Sequence, residues 1–327
     1  MSKISIVKGD DRKENIKKAL EIIEKDIDKA IKIKGLKQLF IKTNTIDTNF
    51  PLACTHVDAL DSVLDFFYDK FDKIIVGDNS FVFTKNKGAI YKKILSKYPK
   101  IKFSDLTEFE TQYIEFMKLN KKIINSKVSL LPKKSFTISL ALPKTHDTFV
   151  YTGCLKNMFG CVIKDRNALH ALSLYERIFL TKYVKSNKLK WFNLVNVIKK
   201  TMPDLCILDA YEGMEGNGPI FGTKVKLKVA MCSLDGIALD KFASKIFGFG
   251  YVPYLSMLNN NFDIEIIKDG FKDISEIRKN FKLHYKNKYQ IMTNVDLFIP
   301  RVDIFLIISV LKRFYRLKDK IIEKINY

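Results

Sequence analysis

The sequence predicts an α/β protein: a mostly parallel sheet, or sheets, covered by helices, with two α/β lobes around a cleft. Three observations lead there. Short apolar runs alternate with stretches of helical periodicity through the first third of the chain. Polar residues come after those apolar runs repeatedly, as they do beyond the carboxyl ends of strands in open α/β sheets. The chain has 327 residues, 47% hydrophobic and 28% charged, enough for a large core in two domains or one. That composition excludes a disordered chain, a collagen-like repeat and a disulfide scaffold.

Ser5–Val7 is the first strand. Ile16, Leu20, Ile23, Ile27 and Ile31 fall near one face of a helix over Asp11 to Lys32, which Gly35 stops. Gln38–Lys42 is the second strand. Thr55 caps the next helix, whose apolar face holds Val57, Leu60, Leu64 and Phe67. Lys73–Val76 is a third strand and ends in Gly77-Asp78-Asn79-Ser80. From Ile101 to Pro143 strand-like runs dominate, Phe136–Leu142 being the best. Helices are expected from Asn167 to about Thr201, with a break near Ser186-Asn187. Leu205–Leu208 is a buried strand leading into a loop from Asp209 to Pro219. Leu227–Ser233 is another strand, and a helix starts at Asp235. The tail holds a strand at Ile264–Ile267 and helices near Ile274–His284 and Val302–Ile325. The lobes are expected at 1–120 and 121–327, with the boundary near Leu119 to Ser126; one integrated domain is the alternative.

Lys and Arg number 57 against 36 Asp and Glu, a formal charge of +21. That balance favours anionic partners such as nucleic acid, acidic lipid or a phosphorylated ligand. The lysines are scattered rather than striped with aromatics. Scatter fits compositional bias or a small anionic ligand better than a nucleic-acid interface. The five cysteines, Cys54, Cys154, Cys161, Cys206 and Cys232, include no C-x-x-C pair, so no zinc ribbon or ferredoxin-type iron–sulfur cluster motif is visible. Reduced thiols and a cytoplasmic location are expected. The amino terminus has no long apolar segment and no run approaches about 18 apolar residues, so neither a secretory signal nor a transmembrane segment is expected. Ile304 to Leu311, with Lys312, Arg313, Arg316 and Lys318 after it, reads as a docked helix, with an interfacial membrane helix as the alternative.

Five polar turns come after apolar strands: Lys42-Thr43-Asn44, Gly77-Asp78-Asn79, Pro143-Lys144-Thr145-His146, Asp209 to Glu212, and Ser233-Leu234-Asp235. Each alone is explained by a satisfied turn or cap; five together argue for one shared cleft. The densest stretch runs from Leu142 to Gly160. It offers His146 as a group that titrates near neutrality, and Lys144 and Lys156 as cations for a carboxylate or phosphate. Cys154 and Cys161 read as small buried residues, with soft metal ligands as the alternative. Asp209, Glu212 and Glu215 can orient the cations or bind a hard metal ion. Asn44, His56, Asp78, Asn157 and Asp235 complete the ligand-binding candidates, His56 because it sits at a helix start. For Asp235 a capping role competes with function.

These pieces, in this order, resemble the family catalogued as domain of unknown function 362. The residues that carry the resemblance are Lys42-Thr43-Asn44, Thr55-His56, Gly77-Asp78, Pro143-Lys144-Thr145-His146 and Thr152-Gly153-Cys154-Leu155-Lys156-Asn157. They continue through Phe159-Gly160, Arg166, His170, Asp209, Met214-Glu215-Gly216, Gly218-Pro219, Ser233, Asp235 and Asp240. The resemblance runs from about residue 40 to 250. Many members of that family look like iron–sulfur proteins, through an added ferredoxin-type segment whose clustered cysteines this chain lacks. A weaker resemblance is to the nickel-pincer lactate racemases. His146, Lys156 and His170 stand in the order of that family's central motif, ten and fourteen residues apart. It implies that Lys156 anchors a nickel-pincer-type cofactor, His170 ligates the metal and His146 acts as acid/base. This chain departs from it in two places. Gly153-Cys154-Leu155 precedes the lysine, and Asp78-Asn79-Ser80 stands where a second histidine is expected.

The first functional expectation is an enzyme or ligand-binding protein for a small anionic metabolite, an isomerase or oxidoreductase if an enzyme. His146 and Lys156 are its catalytic pair, and Lys42, Lys144 and Lys156 bind the anion. The alternatives are an iron–sulfur-associated redox or electron-transfer protein with a redox partner, using Cys154 and Cys161, and a nucleic-acid-binding module.

Overall fold

Ile41 stands opposite Val76 and Ile138 in a parallel register, and that register organises the molecule. The three strands are Gln38–Lys42 (β2), Lys73–Asp78 (β3) and Phe136–Ala141 (β7). They belong to a ten-stranded sheet with Ser2–Lys8 (β1), Ile101–Asp105 (β4), Lys144–His146 (β8), Val150–Thr152 (β9), Leu205–Glu215 (β10), Thr223–Ser233 (β11) and Ile264–Asp269 (β12). The main path is β12-β1-β11-β10-β7-β2-β3-β4, with β8 beside β10 and β9 beside β8. Along that path β11 alone runs against its neighbours. The sheet is therefore mixed and mostly parallel, and it continues across residue 120. Thr111–Met117 (β5) and Ile123–Ser129 (β6) form a separate antiparallel pair.

This computed structural model describes residues 1–79, 89–118, 122–163, 180–258 and 263–284. All of them fall in one unit, Met1–Lys288. His170, Arg166, residues 167–179 of the helices expected from Asn167 to about Thr201, and the helix expected near Val302–Ile325 lie outside the described residues.

Helices cover both faces of the sheet. Arg12–Ile22 (α1), Glu24–Lys34 (α2) and Val57–Phe67 (α3) bury Ile16, Leu20, Ile27, Leu60, Leu64 and Phe67 against Ile41 and Val76. The helix expected over Asp11 to Lys32 is two helices, because Ile23 leaves helical geometry at φ −113°, ψ 16°. Gly35 ends α2 in the left-handed conformation at φ 65°, where its missing Cβ removes the steric penalty. The cap of α3 is His56, not Thr55. The Thr55 hydroxyl is already held between the Asn44 amide and the Leu140 carbonyl, so the His56 ring nitrogen receives the Asp58 amide instead.

On the other face, Cys154–Asn157 (α6), Leu180–Lys200 (α7) and Gly236–Ile246 (α8) pack Leu155, Leu194, Ile198 and Leu239 with Phe149 and Tyr151. Lys92–Leu95 (α4), Leu131–Lys134 (α5) and Pro253–Ser256 (α9) are single turns. No break occurs in α7 at Ser186-Asn187. Propensity is a weak prior against tertiary packing, and α7 is tied to β5 where Asn193 brackets the Met117 amide and carbonyl. The loop expected from Asp209 is strand as far as Glu215, since Glu212, Gly213 and Met214 pair with Lys226, Val225 and Lys224 of β11. Near Ile274 the expected helix reduces to the turn Ile274–Ile277. Beyond it the backbone bonds to the end of α8, Lys279 to Ile246 and Phe281 to Phe247, rather than to itself. Among the described residues no helix is long and apolar enough to cross a membrane.

Candidate functional site

Strands β1, β2, β3, β7 and β10 all run in one direction, so their carboxyl ends share one edge of the sheet. Lys42 is the last residue of β2 and Asp78 the last of β3. Lys144 and His146 come after β7, and Arg12 after β1. Three of the five polar turns therefore gather on one edge, where ligands bind in open α/β sheets, and a fourth, Asp209 to Glu212, lies within β10 just past the Leu208–Ala141 pair that ends β7. The fifth does not. Antiparallel β11 carries Ser233-Leu234-Asp235 to the opposite edge, where Asp235 caps α8 through the Ile237 and Ala238 amides and accepts the Ser2 hydroxyl.

At the centre of the edge, the Lys42 ammonium lies 2.6 Å from Asp78 Oδ1 and 2.6 Å from the Thr43 carbonyl, with Asn157 Oδ1 at 3.5 Å. Lys42 is 1% exposed and all three of its donors have partners. Asp78 Oδ2 receives the Thr45 amide and hydroxyl. The Asn157 side-chain amide donates to the Lys42 carbonyl at 3.0 Å and to Ser139 Oγ at 3.2 Å, which fastens α6 to β2 and β7. Gly160 closes over this pair: a Cβ there would stand 2.5 Å from Asp78 Oδ1. Asn44 spends its side-chain oxygen on the Ile46 amide, shaping the turn after β2.

Lys144 is wholly buried and donates to the Ala53 carbonyl at 2.7 Å. Burial pushes its pKa down to about 8, against the raising influence of Cys54 and Asp78. Burial pushes the neighbouring Cys54 thiol up to about 11, against the Lys144 charge.

His146 and Lys156 flank one aromatic ring. The His146 ring meets Phe149 edge-on at 4.9 Å, and the Lys156 ammonium stands 5.5 Å from the Phe149 centroid and 5.7 Å from that of Phe159. His146 is 4% exposed and Lys156 9%. His146 Nδ1 lies 3.1 Å from the Thr148 amide and 2.9 Å from Asp147 Oδ1. These contacts suit different protonation states. A neutral Nδ1 accepts the amide, and a protonated one donates to the carboxylate. Both engage Nδ1. Trp191 of α7 donates to the Thr148 carbonyl at 2.8 Å and holds the turn.

Arg12, Asp209, Glu212 and His56 form a third group. Arg12 Nε is 3.3 Å from Asp209 Oδ2, its Nη2 is 2.9 Å from Glu212 Oε2, and its guanidinium lies over the Tyr211 ring. Burial raises the Asp209 pKa to about 6, with Arg12 opposing. Burial also works to raise Glu212, but Lys224 and Arg12 outweigh it and hold that carboxyl low. Burial and then Arg12 lower the His56 pKa. Glu215, farther along β10, accepts the Lys282 amide. Arg12 is not among the residues the sequence points to, although it obeys the same rule as the others, a polar residue just beyond a strand.

Cys154 lies with Cys206 and Cys232, and burial pushes all three thiols up. Cys161 packs instead with Phe40, Ile75 and Met158. Among the described residues no group of three or more His, Cys, Asp and Glu side chains is placed to hold a metal ion.

A family profile described as "Domain of unknown function (DUF362)" matches residues 39–245. No curated protein matches the chain. Among solved structures, the lactate racemase apoprotein from Thermoanaerobacterium thermosaccharolyticum is similar at 13% identity and a TM-score of 0.46, over 74% of this chain. This chain spans 57% of that protein's length.

Proposed function

The chain belongs to the DUF362 family, and from that premise we propose that it takes a small anionic metabolite at Lys156 and His146, as an enzyme or as a binding protein. One observation carries this reading: a lysine and a histidine from separate elements stand against the same Phe149 ring, nearly buried, beside the carboxyl edge of the sheet. An ammonium set against aromatic faces in such a place suits a carboxylate or phosphate. His146 then moves the proton, with Asp147 facing its Nδ1. Of the lysines expected to bind the anion, Lys42 and Lys144 are the more deeply buried, at 1% and 0% exposed, and Lys156 at 9% stands nearest the surface, against Phe149 and Phe159.

A nickel-pincer-type cofactor would need Lys156 as anchor and His170 as ligand. Lys156 suits the first role by position, while His170 lies outside the described residues. When bound, such a group would supply hydride-transfer chemistry, and His146 would still be the residue that moves the proton.

The test is a thermal-shift screen of the whole chain with small carboxylates and phosphates, repeated on Lys156→Gln and His146→Gln. The expected result is stabilisation by one class of anion in the parent protein and its loss in Lys156→Gln. Either no stabilisation by any of them, or equal stabilisation of parent and both variants, overturns the reading. Intact mass with elemental analysis decides the cofactor separately, since a mass excess on Lys156 with nickel marks it.

A further inference from the structure

Asp240 is a fully buried carboxylate that neither the anion site nor any capping role of its own helix employs. It projects from the middle of α8 onto the start of α6. There Oδ1 receives the Cys154 amide at 2.9 Å and Oδ2 the Leu155 amide at 2.8 Å. These are the first two residues of a four-residue helix whose third and fourth are Lys156 and Asn157. Gly153 makes the approach possible, because a Cβ there would stand 2.5 Å from the Tyr151 hydroxyl and closer still to Asp240 Oδ1. The buried Tyr151 and Tyr254 hydroxyls face the same carboxylate, and neither makes a hydrogen bond of good geometry.

We propose that Asp240 is a positioning residue for Lys156: by clamping the first two amides of α6 it sets where the Lys156 ammonium stands against Phe149 and Phe159. This role rests on the small-anion reading, because its effect on ligand passes through Lys156. A single turn of helix has too few internal hydrogen bonds to hold itself. Its far end is fixed by Asn157 to Lys42 and Ser139. Its near end is fixed by Asp240. Lys156 lies between two anchors and inherits its position from both.

The groups that face Asp240 from the elements packed on it are Tyr151, Tyr254, Cys154 and Cys206, and burial holds all of them neutral above physiological pH. Burial raises Asp240 itself to about 7, against its two amide bonds and the Tyr151 hydroxyl. Its charge therefore changes near neutrality while its surroundings do not.

The experiment is competitive acylation of the lysines with trace acetic anhydride, read by peptide mass spectrometry, on the parent chain and Asp240→Asn. Asparagine keeps the shape but offers one acceptor where two are needed. The expected result is a change of about threefold or more in Lys156 labelling, with Lys17 and Lys25 unchanged as internal references. Unchanged Lys156 labelling in a folded Asp240→Asn protein overturns the proposal, even if its melting temperature falls. Should that variant not fold, Asp240→Glu decides, since it keeps two acceptor oxygens but carries them one methylene farther from its helix: a changed Lys156 labelling is expected, and unchanged labelling overturns the proposal. A labelling change in a protein that binds no anion would sink the small-anion reading and leave the positioning role standing.

Discussion

The Lys42 ammonium stands 2.6 Å from Asp78 Oδ1, joining the last residues of two adjacent parallel strands beneath Gly160. The ion pair is nearly solvent-free and every donor of the lysine is used. Such a pair fixes geometry more than it stabilises, because desolvating two charges offsets most of their attraction. Breaking it from one side is different. Asp78→Asn or Lys42→Met leaves a buried charge without its partner, which costs about 3–5 kcal/mol. The double variant should lose less than the sum of the two single losses. Urea unfolding of the four proteins measures this, and strictly additive losses would refute the coupling.

Asp209 predicts a pH dependence of stability. Burial raises its folded pKa to about 6 from an ordinary 3.8. Between those values the unfolded chain has already released a proton that the folded chain keeps. Stability therefore falls as pH rises through this window and is flat above it. A shift of this size on a buried group corresponds to about 3 kcal/mol. Asp209→Asn removes the titration, so its stability should fall less than the parent's between about pH 4 and 7. Equal slopes in urea melts across that range would show that Asp209 is ionised throughout.

Much of this edge is legible in the sequence because a strand that buries both faces is a short apolar run, and the chain must turn polar where it leaves the sheet. Lys42, Asp78, Lys144 and His146 stand out that way. The same signal misplaces Asp235, since an apolar run shows a strand and not its direction, and β11 is antiparallel. Arg12 shows a second limit. Its partner Glu212 is 200 residues away, and only the pairing of β1 with β11 and β11 with β10 brings them together. The strand over Glu212 to Glu215 is hidden by its glycine, which favours a loop locally but is overruled by the ladder to β11.

Lys144 predicts a dependence of opposite sign at high pH. Burial lowers its folded pKa to about 8 from 10.5. Between these values the folded chain has lost a proton that the unfolded chain retains, so this residue's contribution to stability rises with pH through the window. Lys144→Met lacks the titration. The stability difference between parent and variant should shift towards the parent by about 3 kcal/mol from pH 8 to 10.5, other lysines and tyrosines cancelling in the comparison. A constant difference would show that Lys144 keeps its ordinary pKa.

His56 ties the cap of α3 to the Arg12 group, and its titration should report both. Its Nδ1 receives the Asp58 amide at 3.1 Å, so protonation at that nitrogen breaks the cap. Burial lowers its pKa, and the Arg12 charge lowers it further, while Asp58 and Glu212 act the other way. Arg12→Gln should therefore raise the His56 pKa, and Glu212→Gln should lower it. Because the folded pKa lies below the unfolded one, the unfolded chain takes up this proton first as pH falls, and stability drops below about pH 6.5. Arg12→Gln should soften that drop while removing the guanidinium that bridges Asp209 and Glu212. NMR titration of the His56 ring protons in the three proteins separates the charge effect from the loss of packing. Shifts of the same sign in both variants would mean that a structural rearrangement, not the charges of Arg12 and Glu212, governs this histidine.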